Sequence, residues 1–333
     1  MDRLWFTRCP VPTATGIAAD RGRLAEEFAP DGITVRSLQE ASAAEAADHH
    51  FTHALDGLFR EGGNVPALWA RSGGEQTRLI GLTWIEERQS VLVRAGRDLS
   101  GPAALRGLRL AVPVHPVGID FWRAMALAGF AGALASAGLT LADAELTEVP
   151  GSPVGQWEGE LTALREGRVD AVYVKGALAV EAAERFGAVV AIDLDALPDR
   201  RHRVNNGTPR PITVHQRLLE QRPDLVARFL AVLIESAEWA RDRPAELARI
   251  LSAETGAGAS GVAGAYRPEI GHSLQIDLSD ERLDLLAQQE RFLSAQGFLP
   301  APVDVRSWVD PAPLARARAL LDSRRSSLPR HGN

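Results

Sequence analysis

Cysteine and lysine are each represented once in this chain of 333 residues. Because a disulfide needs two cysteines, Cys9 cannot form one within the chain, and the sequence gives no sign of an oxidising compartment. Because lysine also occurs only once, nearly all of the positive charge is arginine, and Schiff-base chemistry would have to use Lys175.

Long apolar runs are also missing. No stretch of about 18 apolar residues occurs, which predicts that no segment spans a membrane. The first residues, MDRLWFTRCPVPTATG, reach two prolines before any long apolar run, which is not typical of a secretory signal peptide, so we expect a cytoplasmic protein. The net charge of −6 disfavours nucleic acid and anionic membranes as partners, since both usually need a basic face.

What the sequence does contain is typical of a globular α/β protein. Apolar residues make up 45% of the chain and charged residues 24%. Short apolar runs alternate with longer helical patterns, which indicates α/β architecture, and the length predicts two lobes. Strands are predicted at Leu4–Phe6, Ile33–Gln39, Thr77–Ile85, Gln89–Gly96, Leu108–Pro113, Asp170–Gly176, Ala188–Leu194 and Ile212–Val214. Helices are predicted at Thr15–Phe28, Pro66–Arg71, Pro223–Arg241 and Ser279–Gln296.

Several residues with chemical potential have ordinary structural explanations when each is taken alone. A single cysteine such as Cys9 is most often a small buried apolar residue. Arg60 alone is typical of a surface charge, Gly62–Gly63 of a turn, and Trp122 of a core.

Three histidines lie close together in the sequence, at His49, His50 and His53. They are compatible with a solvated patch or with a metal site. No H-E-x-x-H motif or cysteine cluster accompanies them, so we expect no metal. No Walker A motif occurs either, and we expect no nucleotide and no other cofactor.

Taken together, three segments resemble the 2'-hydroxybiphenyl-2-sulfinate desulfinase family. They are CPVP at Cys9–Pro12, HFTHALDGLFREGGNVPAL at His50–Leu68, and FLSAQGFLPAPVDVRSWVDP at Phe292–Pro311. The resemblance implies that Cys9 is the essential cysteine and that His50 lies near its thiol.

The same resemblance implies further roles in substrate binding. Arg60 would hold the sulfinate, and the backbone N–H of Gly63 would face its oxygens, with Gly62 allowing the backbone to approach the anion closely. Trp122 matches a tryptophan near the substrate and is placed just before the helix of the second lobe. The chain departs from the family at two positions that would reshape the pocket: Thr7 stands in place of a serine and His53 in place of a tyrosine.

The order of elements is similar to the type 2 periplasmic-binding-protein-like fold, in which mixed sheets flanked by helices form two lobes around a ligand cleft. This resemblance implies a discontinuous first lobe of residues 1–93 and 204–333, and a second lobe of residues 94–203. Crossings between the lobes are expected near 94–96 and 195–206. Ligand would bind at the carboxyl ends of strands and the N-termini of helices.

Two functions follow from these resemblances. The first is cofactor-free hydrolytic cleavage of the carbon–sulfur bond of an aryl or related sulfinate, with release of sulfite. Cys9, His50 and Arg60 would be catalytic, and the thiol would either attack sulfur or supply a proton to the ring carbon. The alternative is a solute-binding protein of an ABC importer for a sulfonate or a similar small organic anion. In both cases the partner is a small anionic organosulfur molecule, and we expect a monomer.

Overall fold

The computed structural model describes residues 1–7, 11–40, 49, 51–53, 55–151 and 157–327. Two of the predicted catalytic residues, Cys9 and His50, lie outside this set. Strands and helices alternate along the described chain, which confirms the predicted α/β class. None of the described helices is long and apolar enough to cross a membrane.

The strands match most of the predicted apolar runs. They are β1 (Arg3–Phe6), β2 (Thr34–Ser37), β3 (Leu58–Glu61), β4 (Thr77–Thr83), β5 (Gln89–Arg94), β6 (Arg109–Val114), β7 (Glu145–Pro150), β8 (Val172–Lys175), β9 (Ala188–Asp193) and β10 (Arg210–His215). β3 and β7 have no counterpart in the predicted set. All four residues of β3 are buried although two of them, Arg60 and Glu61, are charged, so the sequence shows neither alternation nor an apolar run.

The helices lie between and after these strands. They are α1 (Ala14–Asp20), α2 (Arg23–Phe28), α3 (Asn64–Ser72), α4 (Phe121–Ala135), α5 (Glu158–Arg165), α6 (Ala177–Phe186), α7 (Gln216–Gln221), α8 (Pro223–Arg241), α9 (Pro244–Thr255), α10 (Ala259–Ala265), α11 (Ile270–Ser273), α12 (Asp280–Ala295), α13 (Val305–Trp308) and α14 (Ala312–Ser327). The predicted single helix Thr15–Phe28 is wrong. The chain forms two helices there because Gly22 adopts a left-handed conformation, with φ of 70°.

A five-stranded sheet in the order β2-β1-β3-β10-β4 forms one half of the fold. β1 is parallel to β2 and β3, whereas β10 is antiparallel to both β3 and β4. Thus β10, which comes more than a hundred residues after β4, closes the gap between β3 and β4. This long-range insertion places the start of β10 next to the end of β3.

A second group of strands forms the other half. β5 pairs antiparallel with β8 and β9, β6 pairs parallel with β7, and Leu110 of β6 bridges Ala171 just before β8. The predicted boundaries, 1–93 with 204–333 and 94–203, stay a prediction. β5 spans Gln89–Arg94 and pairs with β8 and β9, which both belong to the predicted second lobe.

The long helix α8 packs against the five-stranded sheet and has the bounds predicted from its apolar periodicity. Pro223 occupies its first turn, where a missing N–H costs no hydrogen bond. Phe229 of α8 stacks on Phe59 of β3, with ring centroids 3.7 Å apart and planes 6° from parallel. This contact fixes β3, and β3 carries Arg60.

Candidate functional site

A cavity of about 260 Å³ lies between the two groups of strands. Arg60 and Gly63 line it from the end of β3, and Trp122 lines it from α4. The structure thus brings together three of the site residues predicted from the sequence. Val11, two positions after Cys9 in the sequence, also lines this cavity.

Arg60 is almost completely buried, with 1% of its surface exposed. Its Nη1 donates a hydrogen bond to the carbonyl oxygen of Gly63, at 3.0 Å. The guanidinium lies over Gly62, where a Cβ would come within 2.5 Å of Nη1. Gly62 does not itself line the cavity, but its lack of a side chain is what allows Arg60 to take this position.

Helix α3 begins directly after Gly63. The Oδ1 of Asn206 accepts a hydrogen bond from the N–H of Val65, at 3.1 Å, and so caps the first turn. A Cβ on Gly63 would lie 2.1 Å from that same oxygen. Only glycine fits here, and the amide groups of the first helical turn favour an anion nearby.

A buried carboxylate supports this end of β3 from behind. Glu61, next to Arg60, accepts hydrogen bonds from the N–H and Oγ1 of Thr15 at 2.9 and 2.7 Å and from Oγ1 of Thr83 at 3.0 Å. These bonds connect β3 to α1 and β4. Glu61 is not predicted from the sequence, because only the tertiary fold brings its three donors together.

Aromatic rings form one wall of the cavity. Trp122 contacts Trp157 edge to face, with centroids 5.8 Å apart, and Phe121 lies 5.0 Å from Trp122. The prediction that Trp122 precedes the helix is wrong by a small margin, since it is the second residue of α4. Trp157, with φ of 61°, was missed, and no motif around it marks it as a cavity residue. Such a wall suits the flat apolar face of an arene.

The single lysine also lines the cavity and is buried. Nζ of Lys175 lies 2.9 Å from Oε1 of Glu87 and donates to the carbonyl oxygen of Asn206 at 2.7 Å. The hydroxyl of Tyr266 donates to Oε2 of Glu87 at 3.5 Å. Burial lowers the pKa of Lys175, Glu87 opposes that change, and neighbouring Arg210 adds to it. The same burial, with Glu87, raises the pKa of Tyr266 well above its usual range.

Besides Gly62, two predicted substrate-binding residues lie outside the described lining of the cavity. Thr7 is buried and extends β1, with its Oγ1 donating to the carbonyl oxygen of Glu61 at 3.2 Å. His53 is buried, with φ of 57°. Direct roles for Thr7 and His53 therefore stay predictions. Within the described ranges, no group of three or more His, Cys, Asp or Glu residues is placed to hold a metal ion.

Comparisons with known proteins show a matching family model and similar enzymes. Residues 28–247 match the family model described as NMT1/THI5 like. The chain is 28% identical, over 93% of its length and 92% of the relative's, to 2'-hydroxybiphenyl-2-sulfinate desulfinase from Rhodococcus erythropolis. A counterpart with the same name from Rhodococcus qingshengii shows the same identity and coverage. The similarity to this desulfinase predicted from the sequence is confirmed.

Solved structures show the same fold. A cysteine-to-serine mutant of DszB in complex with biphenyl-2-sulfinic acid is 24% identical, with a TM-score of 0.78 over 96% of this chain and 99% of the other. The periplasmic sulfonate-binding protein SsuA from Methylobacillus flagellatus KT is 15% identical, with a TM-score of 0.75 over 100% of this chain and 98% of the other. These likenesses confirm the predicted periplasmic-binding-protein-like fold. Because the family model matches well over half of its residues, this chain belongs to the NMT1/THI5-like family.

Proposed function

We propose that this protein is a cofactor-free desulfinase that hydrolyses the carbon–sulfur bond of an aryl or related sulfinate. Water and R–SO₂⁻ give R–H and hydrogen sulfite, so the reaction needs no oxidant or reductant. The observation that carries the proposal is the buried Arg60 guanidinium, held beside Gly63 at the start of α3 and facing a cavity with an aromatic wall. The 28% identity to a desulfinase over nearly the whole chain supports it.

Four of the described residues that surround the cavity have a role in this proposal. The guanidinium of Arg60 and the amide of Gly63 bind the sulfinate oxygens, because a planar set of N–H donors suits two oxygens better than a lysine would. Trp122 and Trp157 hold the arene. Cys9 acts as the nucleophile or the acid, and His50 exchanges a proton with it.

The alternative is a solute-binding protein for a sulfonate or a similar anion. It is favoured by the likeness in fold to SsuA, and a buried cationic cavity suits binding without chemistry equally well. A solute-binding protein would need no thiol. A cytoplasmic location and a monomeric state belong to the first proposal and stay predictions.

Sulfite release from a panel of aryl and alkyl sulfinates separates the two functions. We expect the unmodified protein to release sulfite, and Cys9→Ser to bind an aryl sulfonate with similar affinity but release none, because a serine hydroxyl is a far weaker nucleophile and acid near neutral pH. Since Cys9 is the only cysteine, iodoacetamide provides a second test. It should inactivate the unmodified protein, and bound sulfonate should slow that loss.

The Cys9→Ser protein is the control for alkylation at other side chains. Sulfite release by Cys9→Ser at the parent rate would overturn the thiol mechanism. Tight sulfonate binding with no sulfite from either protein would favour the importer component.

A further inference from the structure

Arg210 is a second buried guanidinium in the cavity, and the proposed reaction does not use it. It lies at the start of β10, is 3% exposed and lines the same cavity as Arg60. Within the described part of the chain its Nε and Nη1 have no hydrogen-bond acceptor, and no carboxylate lies within 4 Å of it. Buried charged donors of this kind are costly unless something accepts their hydrogen bonds.

A second cation lies close to Arg210. A Cβ on Gly207 would be 2.7 Å from Nη2 of Arg210 and 3.4 Å from Nζ of Lys175, so the two nitrogens are at most about 6 Å apart. Lys175 forms two of its three possible hydrogen bonds, with Glu87 and with the carbonyl of Asn206. Together Arg210, Lys175 and Glu87 carry a net positive charge, and this is additional to the charge of Arg60.

This group of cations is separate from the proposed sulfinate clamp. Arg60 pairs with Thr213 on β10, whereas Arg210 lies three residues earlier on that strand and pairs with Thr83 of β4. Three residues of strand span about 10 Å along the backbone. The two guanidiniums also differ in their neighbours, since Nη1 of Arg60 donates to the carbonyl oxygen of Gly63, whereas Nη2 of Arg210 lies beside Gly207 and Lys175. A single sulfinate at Arg60 therefore leaves Arg210 available for another group on the same molecule.

We infer that Arg210, assisted by Lys175, binds a carboxylate carried by the substrate, so that the protein acts on organic sulfinates that bear a second acidic group. This inference rests on the proposed function for the identity of the first group. The carboxylate would accept hydrogen bonds from the N–H groups of Arg210 that have no acceptor and from the remaining N–H of Lys175. The aromatic wall would hold the ring between the two anionic ends.

Two matched pairs of probes test the second subsite. Benzenesulfonate and 3-sulfobenzoate measure affinity by calorimetry, and benzenesulfinate and 3-carboxybenzenesulfinate measure kcat/KM for sulfite release. We expect the carboxylated member of each pair to be preferred. In Arg210→Gln that preference should fall by about tenfold to a hundredfold, the range of a charged hydrogen bond, while the values for the plain probes change little.

Two further variants protect the experiment from a folding artefact. Arg210→Lys keeps the charge but not the guanidinium, and should retain part of the preference. Arg203→Gln removes another buried arginine, which pairs with Glu86 at 2.9 Å outside the cavity lining, and should leave the preference intact. Thermal melting of each variant shows whether it is folded.

The outcomes separate this inference from the proposed function. Sulfite release with no preference for the carboxylated probe, or an equal loss for both probes in Arg210→Gln, would overturn the second subsite and leave the desulfinase proposal standing. A carboxylate preference that depends on Arg210, without sulfite from any probe, would support the subsite and overturn the desulfinase proposal. Absence of both would overturn both.

Discussion

At the scale of single residues, the site depends on two glycines as much as on the charged groups. Gly62 leaves space for the Arg60 guanidinium, and Gly63 leaves space for the Asn206 side chain that caps α3. Neither glycine is needed for a left-handed backbone conformation, since neither has a positive φ. Both glycines are therefore explained by the close approach of another side chain, which links this short motif directly to the position of Arg60.

Gly62→Ala tests that link. A Cβ placed 2.5 Å from Nη1 of Arg60 must displace the guanidinium, so we expect affinity for benzenesulfonate to fall by about 1–3 kcal/mol, the value of a charged hydrogen bond. Gly118→Ala is the matched control, because a Cβ there meets nothing within 4 Å. Calorimetry on both variants checks the prediction. Equal affinities would mean that Arg60 does not contact the anion.

At the scale of elements, β3 is the part of the sheet that must be held in place. It lies between β1 and β10 and carries Arg60 and Glu61 on adjacent positions. The stack of Phe59 on Phe229 fastens it to α8 from one side, and the hydrogen bonds of Glu61 fasten it to α1 and β4. Arg60 is thus carried by a strand with several independent supports.

Phe229→Ala removes one of these supports. Loss of a fully buried aromatic ring and the cavity left behind should reduce the free energy of unfolding by about 3–5 kcal/mol. Phe186→Ala, at a half-buried ring flanked by Arg165 and Arg185, should cost clearly less. Urea denaturation measures both. Similar losses in the two variants would show that the Phe59–Phe229 contact has no special place in the packing.

At the scale of the whole molecule, the segment that leads back from the second group of strands carries a buried acid. Burial raises the pKa of Asp195 to about 7, Asp193 adds to this, and Arg203, 4.0 Å away, opposes it. The backbone oxygen of Asp195 also accepts a hydrogen bond from Arg267 at 2.8 Å. The ionisation of Asp195 is therefore coupled to contacts that join distant parts of the chain.

This coupling predicts a dependence of stability on pH. Since its pKa is higher in the folded state than the unfolded value of 3.8, the folded state binds more protons between about pH 4 and pH 7. The Asp195 contribution to the free energy of unfolding is thus fully present below that window and is lost as the pH rises to about 7. Asp195→Asn should show a smaller decrease across the window.

Urea denaturation at pH 5, 6, 7 and 8 measures this difference. The exposed Asp98→Asn is the control and should follow the unmodified protein. A parallel decrease in Asp195→Asn and in the unmodified protein would show that another group is responsible.

Local patterns in the sequence were enough to predict the α/β class and helix α8 with its observed bounds. They also singled out a motif in which two glycines closely follow Arg60. Periodicity, proline at a helix start and glycine spacing act between near neighbours, which is why they can be read along the chain. The fully buried strand β3 was not predicted, because two of its four residues are charged, so its sequence neither alternates nor forms an apolar run. The lobe boundaries and the roles of Cys9 and His50 stay predictions.

The tertiary structure alone decided which distant residues share the cavity. β10 pairs with β3 and β4 across more than a hundred residues, and this pairing brings Arg210 to the cavity that Arg60 lines. Glu87, Lys175 and Tyr266 likewise come from three separate regions of the chain. Lys175 stands out in the sequence as the only lysine, but no pattern there indicates its partners. A charge cluster of this kind arises from strand order and burial, which depend on contacts that no local pattern encodes.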